Sequence, residues 1–338
     1  MTDVIKRPGK NNIVRAINLL IGPLLFVICA ALLPHDVFET LSSREAIGTV
    51  AWMAYWWITA PVDFAVTGFL PIAINVICQM CDMELVIANY ASEIVLLLLG
   101  ASIITVSWEL TGLDKRIASW FLIFIGSNLR KQVMFWFLLT AALSSVLPNA
   151  VVCAAITPIA VAMLKYIGID EVKSSNAASM ILLTIAYGAG VGGLASPLGG
   201  AMNLVTVDYL QKLTGSEFIY WHWVVRFLPL MAVLIISNII YLAFLCKKEE
   251  NLGGSHEFFK AQYKEMGRMT SGEKWALGLF LVAVILAFTR QLYQDALPGL
   301  KPAYVFIVCA ILAFIVTKND GTRLITWRTA EKAVRWIP

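Results

Sequence analysis

Charge is scarce in this chain. Only 14% of its 338 residues are Asp, Glu, Lys or Arg, while 59% are hydrophobic. A soluble domain carries about 25% charged residues, so a water-facing globular domain is excluded. Histidine is nearly absent: His35, His222 and His256 are scattered and form no HExxH, which leaves metalloprotease and Ser-His-Asp chemistry without their residues. There are six cysteines, but Cys78-x-x-Cys81 has no second pair to complete four zinc ligands. With Cys29, Cys153, Cys246 and Cys309 it reads as small apolar filling. No GxxxxGK[ST] loop is present, so nothing points to ATP hydrolysis. The chain is therefore expected to be no enzyme, to need no organic cofactor and to bind no nucleic acid.

Long apolar runs fill the chain instead. Spanning segments are predicted at 13–33, 47–59, 63–80, 91–112, 174–190, 223–245, 275–290 and 302–318, most near the length that crosses about 30 Å of hydrocarbon. The first run follows a basic head but is too long for a signal h-region and has no cleavage site after it, so it reads as a retained span. Met134–Ile167 differs from the rest: it is interrupted at Leu147-Pro148-Asn149, and each arm is short for a span. Loop charge tests the layout. Of the 26 Lys and Arg residues, 21 fall on one side and only Arg44, Lys212, Arg226, Arg290 and Lys301 on the other. That bias puts the N-terminus in the cytoplasm. It also makes 134–167 start and finish on the cytoplasmic side, as a re-entrant hairpin or as two full spans.

The fold class expected is an all-α polytopic membrane protein, with about eight transmembrane helices plus one re-entrant helical hairpin. Residues 1–46 form the tail and first span, 47–246 a first repeat, 247–274 a cytoplasmic linker and 275–338 the start of a second repeat. The linker carries Lys247, Lys248, Glu249 and Glu250, and ends in Thr270-x-x-Glu273, a capping box before the run from Trp275. The chain stops on Trp336-Ile337-Pro338, which looks unfinished, so truncation of the second repeat is expected.

Two interrupted segments carry the functional reading. In Leu143-Ser144-Ser145-Val146-Leu147-Pro148-Asn149-Ala150 the proline removes a backbone donor, and carbonyls around Ser144 and Ser145 lose their partners. Inside a membrane such groups are tolerated where they line a protein cavity. Freed carbonyls, serine hydroxyls and the Asn149 amide suit a hard cation such as sodium. The helix restarting at Ala150 turns its positive end to the same spot, which suits an anion. The second segment, Tyr187–Asn203, holds six glycines and one proline in seventeen residues and is predicted to unwind before a half-helix from about Asn203, with span five covering 174–210. Glycines for close packing and an ordinary Pro-Asn loop are the plainer explanations. Paired breaks in one membrane domain favour a transport site.

Other candidates are weaker. Asp63 and Glu93 lie near span ends and read as interfacial, although an intramembrane carboxylate is a functional suspect. Trp52, Tyr55, Trp56 and Trp57, and Tyr220, Trp221 and Trp223, read as interface belts. Lys115–Phe124 reads as an amphipathic surface helix.

Several stretches together resemble the divalent anion:sodium symporter family. They are Trp56-Trp57-Ile58-Thr59 to Leu70-Pro71, Leu99-Gly100 through Thr111-Gly112-Leu113-Asp114-Lys115-Arg116-Ile117-Ala118, Thr157-Pro158-Ile159-Ala160, and Ile185-Ala186-Tyr187-Gly188 to Asn203. The resemblance covers about residues 45–335 and implies a homodimeric, sodium-coupled carrier of dicarboxylates, citrate or sulfate, with two inverted repeats and an elevator-like motion. It implies that Ser144, Pro148 (through its carbonyl), Asn149 and Gly199 hold sodium, and that Asn149, Ala150, Gly200 and Asn203 lie at the substrate. The family's hydroxyl contacts fall on Ala150 and Gly200, so backbone N–H groups are left to meet the anion there. The second hairpin is absent from the chain. The partners expected are a small anion, sodium, the lipid of a plasma (inner) membrane and a second copy of the chain. Proton-coupled exchange or efflux through Asp63 or Glu93, and a non-transporting scaffold or receptor, are the alternative readings.

Overall fold

A computed structural model describes residues 12–124, 126–169, 175–245 and 252–333. The loop residue Lys173, Cys246, the charges Lys247 to Glu250 and the Trp336–Pro338 end lie outside the described residues. Among the described residues every regular element is helical, apart from one isolated bridge between Thr317 and Arg323. The chain is an all-α, multi-pass membrane protein. Five helical segments are long and apolar enough to cross a bilayer: Val14–Leu32, Met83–Thr111, Asn149–Tyr166, Tyr220–Leu245 and Ser271–Phe288. The fold divides into two compact units at Ser92 and Glu93.

The first unit holds α1 (Asn12–Leu32), α2 (Leu41–Thr59), α3 (Phe64–Thr67), α4 (Leu70–Cys78) and α5 (Met83–Tyr90). Small residues let α1 and α2 approach closely, since a Cβ on Gly22 would strike the Trp52 ring and one on Gly48 would sit 2.8 Å from the Phe26 carbonyl. Tyr55 donates to Asn18 Oδ1 at 3.0 Å along the same seam. The single span predicted over 63–80 is two helices. Pro71 offers no N–H to the Thr67 carbonyl and instead fits the first turn of a new helix, so the chain breaks at Gly68–Phe69. Asn75 then closes the Cys78–Cys81 turn: Nδ2 donates to the Cys81 carbonyl at 2.9 Å and Oδ1 accepts the Cys81 N–H at 3.1 Å.

The second unit runs through α6 (Glu93–Thr111), α7 (Leu113–Leu122), α8 (Leu129–Ser144), α9 (Asn149–Tyr166), α10 (Asn176–Gly192), α11 (Ala201–Thr214), α12 (Tyr220–Leu245), α13 (Ser255–Glu265), α14 (Ser271–Phe288), α15 (Pro302–Ile315) and α16 (Trp327–Ala333). Its core gathers Ile104, Trp136, Ile156, Ile181 and Phe306. The polar stretch predicted as a linker contains α13, which is docked on the rest of this unit. Phe259 is fully buried with its ring 6.0 Å from Trp136, Gln132 donates to Ser255 Oγ at 2.5 Å, and Ser119 donates to Gln262 at 3.0 Å.

Two buried arginines fix the ends of α14. The capping box forms as predicted: Thr270 Oγ1 accepts the Glu273 N–H at 3.2 Å and Glu273 Oε2 accepts the Thr270 N–H at 2.7 Å. Glu273 also receives Arg116 Nε at 2.6 Å, while the other guanidinium nitrogens reach the Gly267 and Met266 carbonyls. Arg116, within the stretch predicted as an amphipathic surface helix, is thus buried. Beyond the other end of α14, Arg290 pairs with Glu217 at 2.9 Å and takes the Leu297 and Pro298 carbonyls. Removing one partner of the buried Arg116–Glu273 pair costs about 3–5 kcal/mol.

Candidate ion site at two helix breaks

Helix α8 stops where its hydrogen-bond ladder loses a donor. The helical partner of the Ser144 carbonyl is the N–H of residue 148, and Pro148 has none. Among the described residues that carbonyl accepts no hydrogen bond. After the turn Ser145–Pro148, α9 starts at Asn149, with the Pro148 carbonyl accepting the Val151 and Val152 N–H groups at 2.9 and 3.1 Å. The Pro148 carbonyl, implied as a sodium ligand, thus also accepts the first-turn N–H groups of α9.

The second break is shorter than the glycine run predicts. Gly188, Gly190 and Gly192 all lie inside α10. Two of them mark the crossing with α8: a Cβ on Gly188 would collide with the Thr140 hydroxyl, and one on Gly192 with the Ala141 carbonyl. Close approach of the helices is their physical reason, as in membrane packing generally. The chain leaves helix only at Gly193, passes an extended Ser196 and a 3-10 turn at Pro197–Gly199, and re-enters helix after an extended Gly200.

Side chains tie the two breaks together. Ser196 Oγ donates to the Ser145 carbonyl at 2.5 Å and accepts the Leu198 N–H at 3.2 Å. Asn203 Nδ2 donates to the carbonyls of Gly193 (2.7 Å) and Ser196 (2.8 Å). Trp223 Nε1 donates to the Leu194 carbonyl at 2.9 Å. A Cβ on Gly199 would lie 2.5 Å from the carbonyl oxygens of both Ser144 and Gly193, and one on Gly193 would lie 2.9 Å from Asn149 Oδ1. Oxygens from both breaks therefore converge on backbone that bears no side chain.

Of the residues singled out from the sequence, Ser144, Asn149, Gly199, Gly200 and Asn203 come together. Ser144 is fully buried. The half-buried Asn149 carboxamide makes no hydrogen bond among the described residues, and Ala150 beside it is exposed. Asn203 is buried and its amide nitrogen holds the turn. Electrostatics at this place have two signs. Carbonyl ends of α8 and α10 present negative oxygens, while α9 and α11 start here and present unpaired N–H groups. Oxygen-only donors fit a hard cation, and paired helix N-termini fit an anion.

The other acidic candidates are not among these residues. Asp63 is exposed within the first unit. Glu93 accepts from Lys301 Nζ at 2.6 Å and from the Tyr304 hydroxyl at 3.2 Å, and that contact raises the Lys301 ammonium above its usual pKa range. Sequence reasoning missed Gly193, Ser196 and Trp223. The Ser196-Pro197 pair carried a readable turn signal. Trp223 did not, because tyrosine and tryptophan near a span end read as an interface belt; Tyr220 and Trp223 are buried and only Trp221 is exposed.

Comparison with known proteins settles the family. Residues 54–336 match the citrate transporter family, CitMHS. The chain belongs to that family. It is also 25% identical to a sodium-dependent dicarboxylate transporter, SdcS, of Staphylococcus saprophyticus, over 96% of this chain and 66% of that protein. The SdcS of Staphylococcus aureus is 26% identical over 94% of this chain and 63% of its own length. The chain thus spans a little under two thirds of the length of the relatives it matches.

Proposed function

We propose that the protein is part of a secondary active transporter that couples sodium entry to uptake of a small anion of the dicarboxylate, citrate or sulfate class. The observation that carries this is the convergence of the Ser144 and Gly193 carbonyls and Asn149 Oδ1 at Gly193–Gly199, beside the first turns of α9 and α11. In this reading Ser144, Asn149 and Gly199 hold sodium, and Gly193 joins them. Bound sodium would supply the positive charge that makes an anion welcome at the neighbouring N–H groups. Asn149 faces both ligands, and the exposed Ala150 and the open Gly200 leave main-chain N–H groups as anion contacts. The names of the staphylococcal relatives support sodium and dicarboxylate as the pair.

The same reading makes α8–α9 a re-entrant hairpin within the first of two inverted repeats, in a homodimer of the plasma (inner) membrane with its N-terminus in the cytoplasm. The lysine and arginine bias supports the orientation. With 16 residues, α8 is roughly 24 Å long, which is short for a crossing, whereas the 18-residue α9 is long enough for one, so the reading rests on the α8 arm.

Uptake of radiolabelled succinate and citrate by cells expressing the natural full-length protein tests this, in sodium and in choline buffer across pH. Sodium is expected to stimulate uptake, and Asn149→Ala to abolish it at unchanged membrane abundance. Equal uptake in the two buffers, with a proton dependence instead, would overturn sodium coupling in favour of proton coupling. No flux at all would leave a non-transporting membrane protein.

A further inference from the structure

Trp223 touches neither the Ser144 nor the Asn149 oxygens, yet its indole is bound into the same network. It is 4% exposed and lies in the first turn of α12, stacked on Phe227 at 4.4 Å and edge-on to Phe218 at 6.4 Å. Its N–H reaches the Leu194 carbonyl at 2.9 Å. In an unbroken helix that carbonyl would take the N–H of Leu198. Here the Leu198 N–H goes to Ser196 Oγ, and the Ser196 hydroxyl proton goes on to the Ser145 carbonyl. The result is a sorting of freed carbonyls: Leu194 is capped by Trp223, Ser145 by Ser196, and Gly193 and Ser196 by Asn203. The Ser144 carbonyl, at the proline break, is left uncapped among the described residues and lies against Gly199.

We infer that Trp223 is a positioning residue for the cation site, acting through Ser196: by taking the Leu194 carbonyl it releases the Leu198 N–H to hold Ser196 against Ser145, which sets the distance between the two breaks. This inference rests on the sodium-site reading above. An unpaired Leu194 carbonyl would recapture the Leu198 N–H, because a buried acceptor without a donor is unfavourable. Ser196 would then lose its aim, and the Ser145 and Ser144 carbonyls would no longer be distinguished.

The test replaces the donor and keeps the ring. In the full-length protein, Trp223→Phe retains the stack on Phe227 and removes the N–H. Loss of one buried hydrogen bond predicts about a tenfold rise in the sodium concentration for half-maximal uptake, a narrower preference for sodium over lithium, and a maximal rate kept within about twofold. A tryptophan that served packing alone would alter abundance or maximal rate and leave the sodium requirement and ion preference unchanged; that result in folded Trp223→Phe overturns the inference. Ser196→Ala supplies an independent arm should Trp223→Phe fail to reach the membrane. It is expected to raise the sodium requirement in the same way, with Ser196→Thr restoring it, and an unchanged requirement in Ser196→Ala is again fatal. Sodium-independent uptake by the unaltered protein is a different outcome, and it overturns the sodium site itself together with this inference.

Discussion

The α8–α9 break and the α10–α11 break do the same thing by different means. The first is made by one missing atom: Pro148 has no hydrogen to give Ser144, and the helix ends whatever surrounds it. The second is held open by side-chain contacts, namely Ser196 within the break reaching Ser145, Asn203 reaching back ten residues to Gly193, and Trp223 reaching back twenty-nine to Leu194. A break of the first kind is written locally. A break of the second kind exists only in the assembled fold, and it is the one that sets the spacing between the two.

Variants that disturb one break but not the other make the contrast measurable. The largest effect is expected from Gly192→Val, whose side chain would enter the Ala141 backbone at the α8–α10 crossing. A cost of roughly 3–5 kcal/mol is anticipated, enough to remove folded protein from detergent size exclusion. Gly199→Ala should fold, yet its methyl would lie 2.5 Å from the Ser144 and Gly193 carbonyls. Displacing those oxygens by even an ångström is expected to lower uptake about a hundredfold. Milder again is Pro148→Ala, which returns an N–H to the ladder. If the Ser144 carbonyl takes it, the sodium requirement should rise about tenfold, while an unchanged requirement would show that the proline does not matter in this way. The smallest effect belongs to Gly190→Ala, where nothing lies within 4 Å of a new Cβ. Thermal unfolding should show about 0.5–1 kcal/mol of added stability with uptake unchanged.

The sequence made some of this legible. Pro148 and the Thr270–Glu273 capping box act over three or four residues, and both appear where residue chemistry alone puts them. The glycine run misled in a specific way. Glycine lowers helix propensity, but at Gly188 and Gly192 its absent side chain is what lets α10 lie against α8, so packing overrides propensity. Period and composition could not separate that use from an unwound strand. The same limit hid Arg116, which lies in a stretch read as an amphipathic surface helix and whose burial Glu273, far along the chain, explains. Of the site, Ser144, Asn149 and Gly199 were readable from the break and the family likeness. Ser196 and Trp223 were not, since their roles are contacts across 51 and 29 positions, and nothing set Gly193 apart from the other glycines of its run.

That distance has a meaning in time. Arg116 and Glu273 are separated by 157 positions. At a synthesis rate of roughly 5–20 residues per second, the arginine exists for about 8–30 seconds before its carboxylate has been made. During that interval the guanidinium has no partner of its own, and α13, which shares the same neighbourhood through Gln262 and Ser119, is also unfinished. Biogenesis is therefore expected to have a vulnerable period that closes when α14 emerges. Nascent chains stalled before residue 273 should be cleared faster than chains stalled just after it, and pulse-chase labelling reads the difference directly.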